Sequence, residues 1–553
     1  MKMDFLKKII ALSMALIMSI GLIGCGSKTP VDNPVIEDNT SVTEEIPSTT
    51  EEKVIRMDLS DVGYPSVYTV SKKGQGYVAL QFIFDTLIWK DSKGEIPYLA
   101  ERYEVSKDNK TYTFYLRKGV KFTDGEEFNA EDVKFTFDYT KEHPYHYAST
   151  SMVKETRIID NYTVEIELSD VYVPFISDVA GCLPILPEHI WKDVTEPETF
   201  TAPEAVIATG PFKLESYDSA AGVYVFTKNE NYFYGDVAVD KLIISNYDDA
   251  REAFAAGELD VSATMGYKKA MSFKDDAKYK VIEGPGLWVS RLYFNFNEPA
   301  FNSKEVRQAI HYALNLDEIV DKVAGGAAIA GSAGHIQPDT PWYNPNVKQY
   351  PYDVEKAKAL LKEAGAVDSN NDGIMEFNGK EMKYEAIFSD KDVQYAELVA
   401  SYLKEIGIIL EVKTFDDNTV KTLIGEGNFT IAVNGHGSFG GDPILLGRFA
   451  SDSDGAPQVT AQGGKVWHNE EYNKIFAESA KELNKEKRHE LVNKLQEIIA
   501  EELPTITMYY SLNAAVYNPA VYDGYYYTPD GIGVAIPFPY NKLCFVKAIS
   551  DIH

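Results

Sequence analysis

An α/β chain of several lobes is predicted, on three observations. At 553 residues the chain is too long for one simple core. Segments that alternate apolar and polar residues, as strands do, are interleaved with segments whose apolar residues recur at helical spacing. No repeat of about 20–50 residues is visible, and no second apolar run approaches the roughly 20 residues a membrane span needs.

Taken in order, Lys53 to Leu59 reads as a first strand, and Gly76 to Trp89 as a buried helix ending at Lys90-Asp91-Ser92-Lys93-Gly94. Tyr112 to Leu116 alternates β-formers, with Lys118-Gly119 as its turn. Asn129 stands where an N-cap belongs, ahead of Glu131-Asp132 and a helix through Val133 to Tyr139. Strands are expected at Tyr162–Leu168, Val223–Phe226, Lys241–Ser245 and Leu292–Phe296. Helices follow at Lys304–Ala313, Val354–Ala364, Tyr395–Ile406 and His489–Glu501. Phe429 to Val433 and Ile506 to Tyr510 read as late strands, and Tyr522 to Tyr527 as an aromatic tract of the same kind.

The chain opens with Lys2, Lys7 and Lys8 before an apolar run from Ile9 to Ile23, which has the form of a secretory signal. Leu22-Ile23-Gly24-Cys25 resembles the lipobox of bacterial lipoproteins, in which the Cys is lipidated and becomes the mature N-terminus. That resemblance implies a signal peptide over 1–24 and a lipid anchor (palmitate or similar) on Cys25 at the outer face of the cell membrane. Residues 25–52 are Pro, Ser, Thr, Asn and Glu with little to bury, so a disordered tether is expected, with a reach of about 30 Å.

The formal charge is −30, and the first 24 residues carry +2 (three Lys against Asp4), leaving −32 for the rest. A field of that sign repels phosphate backbones, so a nucleic-acid partner is excluded. Besides Cys25 there are two cysteines, Cys182 and Cys544, too few for a disulfide scaffold or a zinc site; two buried thiols are expected.

Several motifs together resemble family 5 of the extracellular solute-binding proteins of ABC importers, the oligopeptide, dipeptide and nickel-binding group. They are Pro97 to Tyr103, Tyr112 to Gly125 and Phe128 to Val133, then Thr209-Gly210-Pro211-Phe212, Asn229 to Phe233, and Leu292 to Asn297 with Val306-Arg307-Gln308. Val354 to Leu361, Gly441-Asp442-Pro443 and Leu503-Pro504-Thr505-Ile506 complete the set. The resemblance runs from about residue 53 to the C-terminus. It implies a type II periplasmic-binding-protein-like α/β fold of the cluster C kind, with two hinged lobes and an extra N-terminal subdomain. Carried onto this chain, lobe I comprises 53–75, 190–291 and 509–553, the inserted subdomain 76–189, and lobe II 292–508. The crossings then fall near Arg291-Leu292 and Met508-Tyr509.

The same resemblance implies a receptor that delivers a di- or oligopeptide to a membrane permease by closure of the cleft. A nickel chelate on the same fold is the alternative, and a secreted hydrolase a more distant one. No catalytic residue, no resident metal and no cofactor is expected, and the chain is expected to be a monomer. No G-x-S-x-G, H-E-x-x-H or P-loop occurs.

Ligand-contact candidates come from a glycine-rich motif and from the two crossings. Gly435-His436-Gly437-Ser438-Phe439-Gly440 matches a dinucleotide fingerprint, yet the carboxylate of Asp442 just beyond it would repel pyrophosphate. Close backbone approach to a ligand is the better reading of those glycines. In peptide-binding relatives an acidic residue in the Gly-Asp-Pro region pairs with the ligand's ammonium, which makes Asp442 the leading contact; the competing role is a helix N-cap before Pro443. His436 is a hydrogen-bond donor or a chelate ligand. Trp288 and Arg291 can reach the cleft, Arg291 toward a carboxylate, or else they pack between lobes. Tyr509 and Tyr510 are pocket walls by position and core aromatics by default. Asp368 to Gly373 copies half of an EF-hand loop, but the twelfth position is Gly379, and a solvated turn is expected.

Overall fold

The computed structural model describes residues 52–71, 74–91, 94–284, 288–338, 340–437, 442–451, 467–526, 528 and 538–546. Cys25, the signal and most of the tether lie outside these residues, as do Ser438–Gly441 of the glycine-rich motif. Val54–Asp58 pairs in parallel with Lys241–Ser245 inside a seven-stranded sheet. That sheet runs in the order Lys280–Gly284, Asn513–Tyr517, Val261–Ser262, Val54–Asp58, Lys241–Ser245, Val223–Lys228, Phe212–Asp218. A six-stranded sheet holds Ala328–Ala330, Thr505–Ser511, Trp288–Phe294, Ile431–Gly437, Lys383–Ser389 and Ile409–Phe415, in that order. A four-stranded antiparallel sheet is made by Ala100–Val105, Thr111–Leu116, Thr163–Leu168 and Val153–Asp160.

The chain changes sheet between Gly284 and Trp288 and again at Leu512. Both points lie on the far side of the expected crossings, so Ser290, Arg291, Tyr509 and Tyr510 belong to the six-stranded sheet. The apolar interior divides at the same places. One cluster takes residues up to Ala263 and from Ala515 onward, and another runs from Val289 to Tyr510. The described residues of segment 76–189 bury their apolar side chains in the first cluster rather than in one of their own.

Alternation fixed the small sheet: Tyr112, Phe114 and Leu116 point inward, as do Val164, Ile166 and Leu168 on the paired strand. Helix Ala130–Glu142 starts at a capping box, in which Asn129 accepts the Glu131 N–H at 2.7 Å and Asp132 accepts the Asn129 N–H at 2.9 Å. Arg307 is buried on helix Lys304–Ala313 and donates to the carbonyls of Phe301, Glu502 and Leu503. It therefore ties that helix to the end of helix Lys485–Glu502. Gly210 is required because a Cβ there would stand 2.2 Å from the Ile83 carbonyl oxygen.

Two expectations fail. The run Gly76 to Trp89 is a helix only from Gly74 to Leu80; it then turns and becomes the strand Ile88–Asp91. Both halves are buried, and burial alone does not distinguish a helix from a strand in a continuous apolar run. The tract Tyr522–Tyr526 is irregular, packing Tyr522 and Tyr525 against Phe545, while the last sheet strand is Asn513–Tyr517. Cys182 and Cys544 are both buried thiols with no disulfide between them. Among the described residues no helix is long and apolar enough to cross a membrane.

Candidate functional site

Five of the sequence-selected residues meet at one end of the six-stranded sheet. Trp288 pairs with Gly437, Val289 with His436 and Arg291 with Asn434 on one side. On the other, Val289 pairs with Tyr510 and Ser290 with Tyr509, after which a bulge shifts Arg291 onto Thr507. An extra residue at such a point re-aims the side chains beside it.

A cavity of about 270 Å³ opens there, lined by Trp288, Ser290, Asn434 and Tyr509 with Ser389, Asp392, Asp417 and Lys421. The strands Lys383–Ser389 and Ile431–Gly437 run parallel, and their carboxyl ends face this cavity. Ligands bind in α/β sheets at such ends. Trp288 is 37% exposed. Its indole lies over Gly435, where a Cβ would meet the ring nitrogen at 2.6 Å and the Val289 carbonyl oxygen at 2.1 Å. The glycine thus makes room for a pocket wall rather than for a phosphate.

Two carboxylates in the cavity differ in their surroundings. Asp417 accepts from Ser389 at 2.6 Å and from Lys391 at 2.7 Å, and Lys391 foremost holds its carboxyl below the usual range. Asp392 precedes helix Val393–Glu405 but makes no capping bond with its side chain. Burial, then the charge of Asp417, pushes its carboxyl up.

Behind this wall lies a basic group. Arg291 is 0% exposed, packs over Tyr293 and Phe449, and donates Nη2 to the Tyr293 hydroxyl. Its Nε and Nη1 have no hydrogen-bond acceptor among the described residues. His436 and His335 are also buried, with their Nε2 atoms 3.0 Å apart. His436 Nδ1 faces the Gly437 carbonyl, which only accepts, so Nδ1 carries the proton and Nε2 accepts from His335. His335 Nδ1 then accepts from the Thr507 hydroxyl at 2.8 Å. Burial, then Arg291, holds both imidazoles well below their ordinary pKa, which keeps them neutral. Burial, then Arg291, also brings Arg448 down to about 10.

Asp442 stands elsewhere. It caps helix Pro443–Phe449 by accepting the Ile444 N–H at 2.9 Å, and both its oxygens hold Arg488, at 2.7 and 2.9 Å. The structure therefore gives this carboxylate a cap and a guanidinium, and a ligand ammonium would have to displace Arg488. Asp178, of the segment 76–189, faces the same pair and accepts from Tyr172 at 2.8 Å; burial, then Asp442, pushes it up to about 7. Near it, Lys481 reaches Asp170 at 2.6 Å and the Val173 N–H donates to the Ala480 carbonyl at 2.9 Å. In the EF-hand-like turn, Asp368 accepts the N–H groups of Asp372 and Gly373, so its oxygens serve the turn itself.

The sequence reading missed Asp392, Asp417, Ser389, Lys421, Asn434, His335 and Arg448. No motif links them. The one local signal is that Asp392 and Asp416-Asp417 stand at helix starts, which places them at strand–helix junctions.

Two α/β lobes with separate cores, and a polar–aromatic cavity at carboxyl strand ends beside the sheet change, define a solute-binding protein. The chain belongs to family 5 of the bacterial extracellular solute-binding proteins: the description "Bacterial extracellular solute-binding proteins, family 5 Middle" matches residues 95–458. Heme-binding protein A of Haemophilus influenzae is 30% identical over 468 residues, covering 79% of this chain and 82% of that protein. The dipeptide-binding protein of Escherichia coli is 29% identical over 467 residues, covering 79% and 84%. Among solved structures, NikA from Brucella suis with Fe(III)-EDTA superposes with a TM-score of 0.75 at 22% identity, over 88% of this chain and 99% of that one. The oligopeptide-binding protein AppA from Bacillus subtilis with a nonapeptide gives 0.72 at 22% identity, with the same coverage. These structural likenesses bear on the fold.

Proposed function

We propose that the chain is the extracytoplasmic receptor of an ABC importer, held to the membrane by a lipid on Cys25, and that it binds a peptide by closure of its lobes. Asp392 is the observation that carries the peptide reading. Its carboxylate lines the cavity without a capping bond, beside the Trp288 and Tyr509 walls, which suits a ligand ammonium. Dipeptide-binding relatives in Escherichia coli and Pseudomonas aeruginosa support the same class of ligand. Asp442, engaged by Arg488, serves the frame of the site rather than the ammonium.

A second reading, a metal chelate, rests on the His335–His436 pair, whose Nε2 atoms at 3.0 Å could share a metal bound at about 2.1 Å to each once His335 moves its proton from Nε2 to Nδ1 and gives up the bond to His436. The test is mass spectrometry of solutes released from the purified full chain. A peptide mixture supports the first reading, and stoichiometric nickel replaces it with the second. Asp392→Asn is expected to weaken binding of a tripeptide library by about tenfold or more, and Asp442→Asn to leave it unchanged. Hydrolysis of the released solute would remove the receptor reading altogether.

A further inference from the structure

We infer that segment 76–189 carries a proton-operated clasp between the lobes, in which neutral Asp178 rests against the Asp442–Arg488 pair of the second lobe and ionised Asp178 is driven from it. The inference rests on the lobe-closure part of the receptor reading and adds what sets that closure. The chain joins the two lobes only at Gly284–Trp288 and at Leu512. Segment 76–189 packs into the first apolar cluster, whereas the helices that hold Asp442 and Arg488 pack into the second. A contact between them is therefore one that opening must break.

Three contacts meet there. The Val173 N–H donates to the Ala480 carbonyl at 2.9 Å, and Lys481 reaches Asp170 at 2.6 Å, with Lys110 at 3.2 Å from the same carboxylate. That ion pair is about half exposed, which makes it a weak tie. Asp178 is the third, and its hydrogen bonds stay in its own segment: it accepts from Tyr172 at 2.8 Å and from Ser177 at 3.4 Å. Facing it, Arg488 gives both Nη atoms to Asp442 and its Nε to the Ser479 carbonyl at 3.0 Å, so the guanidinium is engaged within the second lobe. An ionised Asp178 thus meets a carboxylate whose cation is already taken, and a neutral one escapes that repulsion.

Burial, then the Asp442 charge, pushes the Asp178 carboxyl up to about 7, while Tyr172, Ser177 and Arg488 act the other way. Burial also pushes Glu95 of the same segment up; Asp442 adds to this, and Lys90 and Lys485 oppose it. Separation of the lobes takes Asp442 away and returns Asp178 toward the ordinary value of about 4. The joined state therefore binds the proton more tightly. Its advantage is fully present below about pH 4 and fades as the pH rises through 7.

The experiment is small-angle X-ray scattering of the purified full chain at pH 5.5 and pH 8.5, without ligand and with the tripeptide library. The ligand-free wild type is expected to expand by about 1 Å in radius of gyration at the higher pH, against a compact value of roughly 24 Å. Asp178→Asn is expected to stay compact at both. Tyr172→Phe, which removes a donor to the ionised carboxylate, is expected to move the midpoint of the expansion to higher pH, a shift that a packing role alone would not produce. A wild-type radius that ignores pH, or an expansion undiminished in Asp178→Asn, overturns the clasp. Contraction by the library in that case leaves closure on a ligand standing, and a radius that neither pH nor the library changes removes the closure reading as well. Should Asp178→Asn fail to fold, as judged by circular dichroism, the direction of the Tyr172→Phe shift decides.

Discussion

Two buried cations, one in each lobe, are handled in opposite ways. Lys542 is fully buried in the first lobe, where it pairs with Asp85, donates to the Phe84 carbonyl at 2.9 Å and stands 4.2 Å from the Trp89 ring centre. Asp85 in turn accepts from Thr209 at 2.9 Å. Every strong group in that network has a partner. Arg291, as deeply buried in the second lobe, has two nitrogens without an acceptor among the described residues and a second guanidinium nearby. Removing a charge from water costs several kcal/mol unless a partner offsets it, by roughly the margin on which a whole fold depends. A closed ion pair recovers its desolvation cost, whereas an open cation leaves that cost unmet.

The largest test of that contrast is Lys542→Met. It strands the Asp85 carboxylate in the core and should destabilise the chain by about 3–5 kcal/mol in urea denaturation. A loss below about 1 kcal/mol would mean that water reaches Asp85 and that the pair is no anchor. Next comes Asp442→Ala, which removes a cap and the partner of Arg488, itself 8% exposed. The expected loss is roughly 2–4 kcal/mol with peptide affinity retained. A variant that keeps its stability but loses affinity would return Asp442 to the ligand.

A smaller effect is expected from Asp178, whose carboxyl rises to about 7. A folded value above the unfolded one adds stability that is fully present below about pH 4 and fades as the pH rises through 7. Asp178→Asn should remove that fall, so the stability curves of variant and wild type should converge at low pH and separate toward pH 7. Parallel curves would show that the group is hydrated. The smallest effect is expected from Arg291→Met. With no ion pair among the described residues to lose, the ligand-free chain should keep its stability to within about 1 kcal/mol or gain slightly. A loss as large as that of Lys542→Met would give the two cations the same role and erase the contrast.

Much of the fold is legible along the chain because local rules and burial agree there. Thr111–Leu116 alternates, Asn129 and Asp132 form their capping box, and Ser303 caps the helix that carries Arg307. The reading fails at Gly76 to Trp89, where every residue is apolar enough to be buried in either conformation and only packing decides. It also fails at Tyr522 to Tyr526, where β-forming aromatics fill a core from irregular backbone.

The candidate site is less legible. Position near a lobe crossing was enough to select Trp288, Arg291, Tyr509 and Tyr510, the glycine-rich motif offered His436, and the sheet register brings those five together. Asp442 was selected by its motif, and its partner Arg488, 46 positions away, could not be seen from it. Asp392 is marked only by its place at a helix start, and His335 carries no pattern at all.

By itself, then, the sequence determined the family, the strands and helices with clear periodicity and the net negative field, because each depends on neighbouring residues, motifs or totals. Only the tertiary structure decided which carboxylate is spent on a guanidinium and which is open to the cavity, and which buried cation is paired. Those outcomes depend on distances between residues far apart in the chain and on exclusion of water. Neither exists until the sheets are packed.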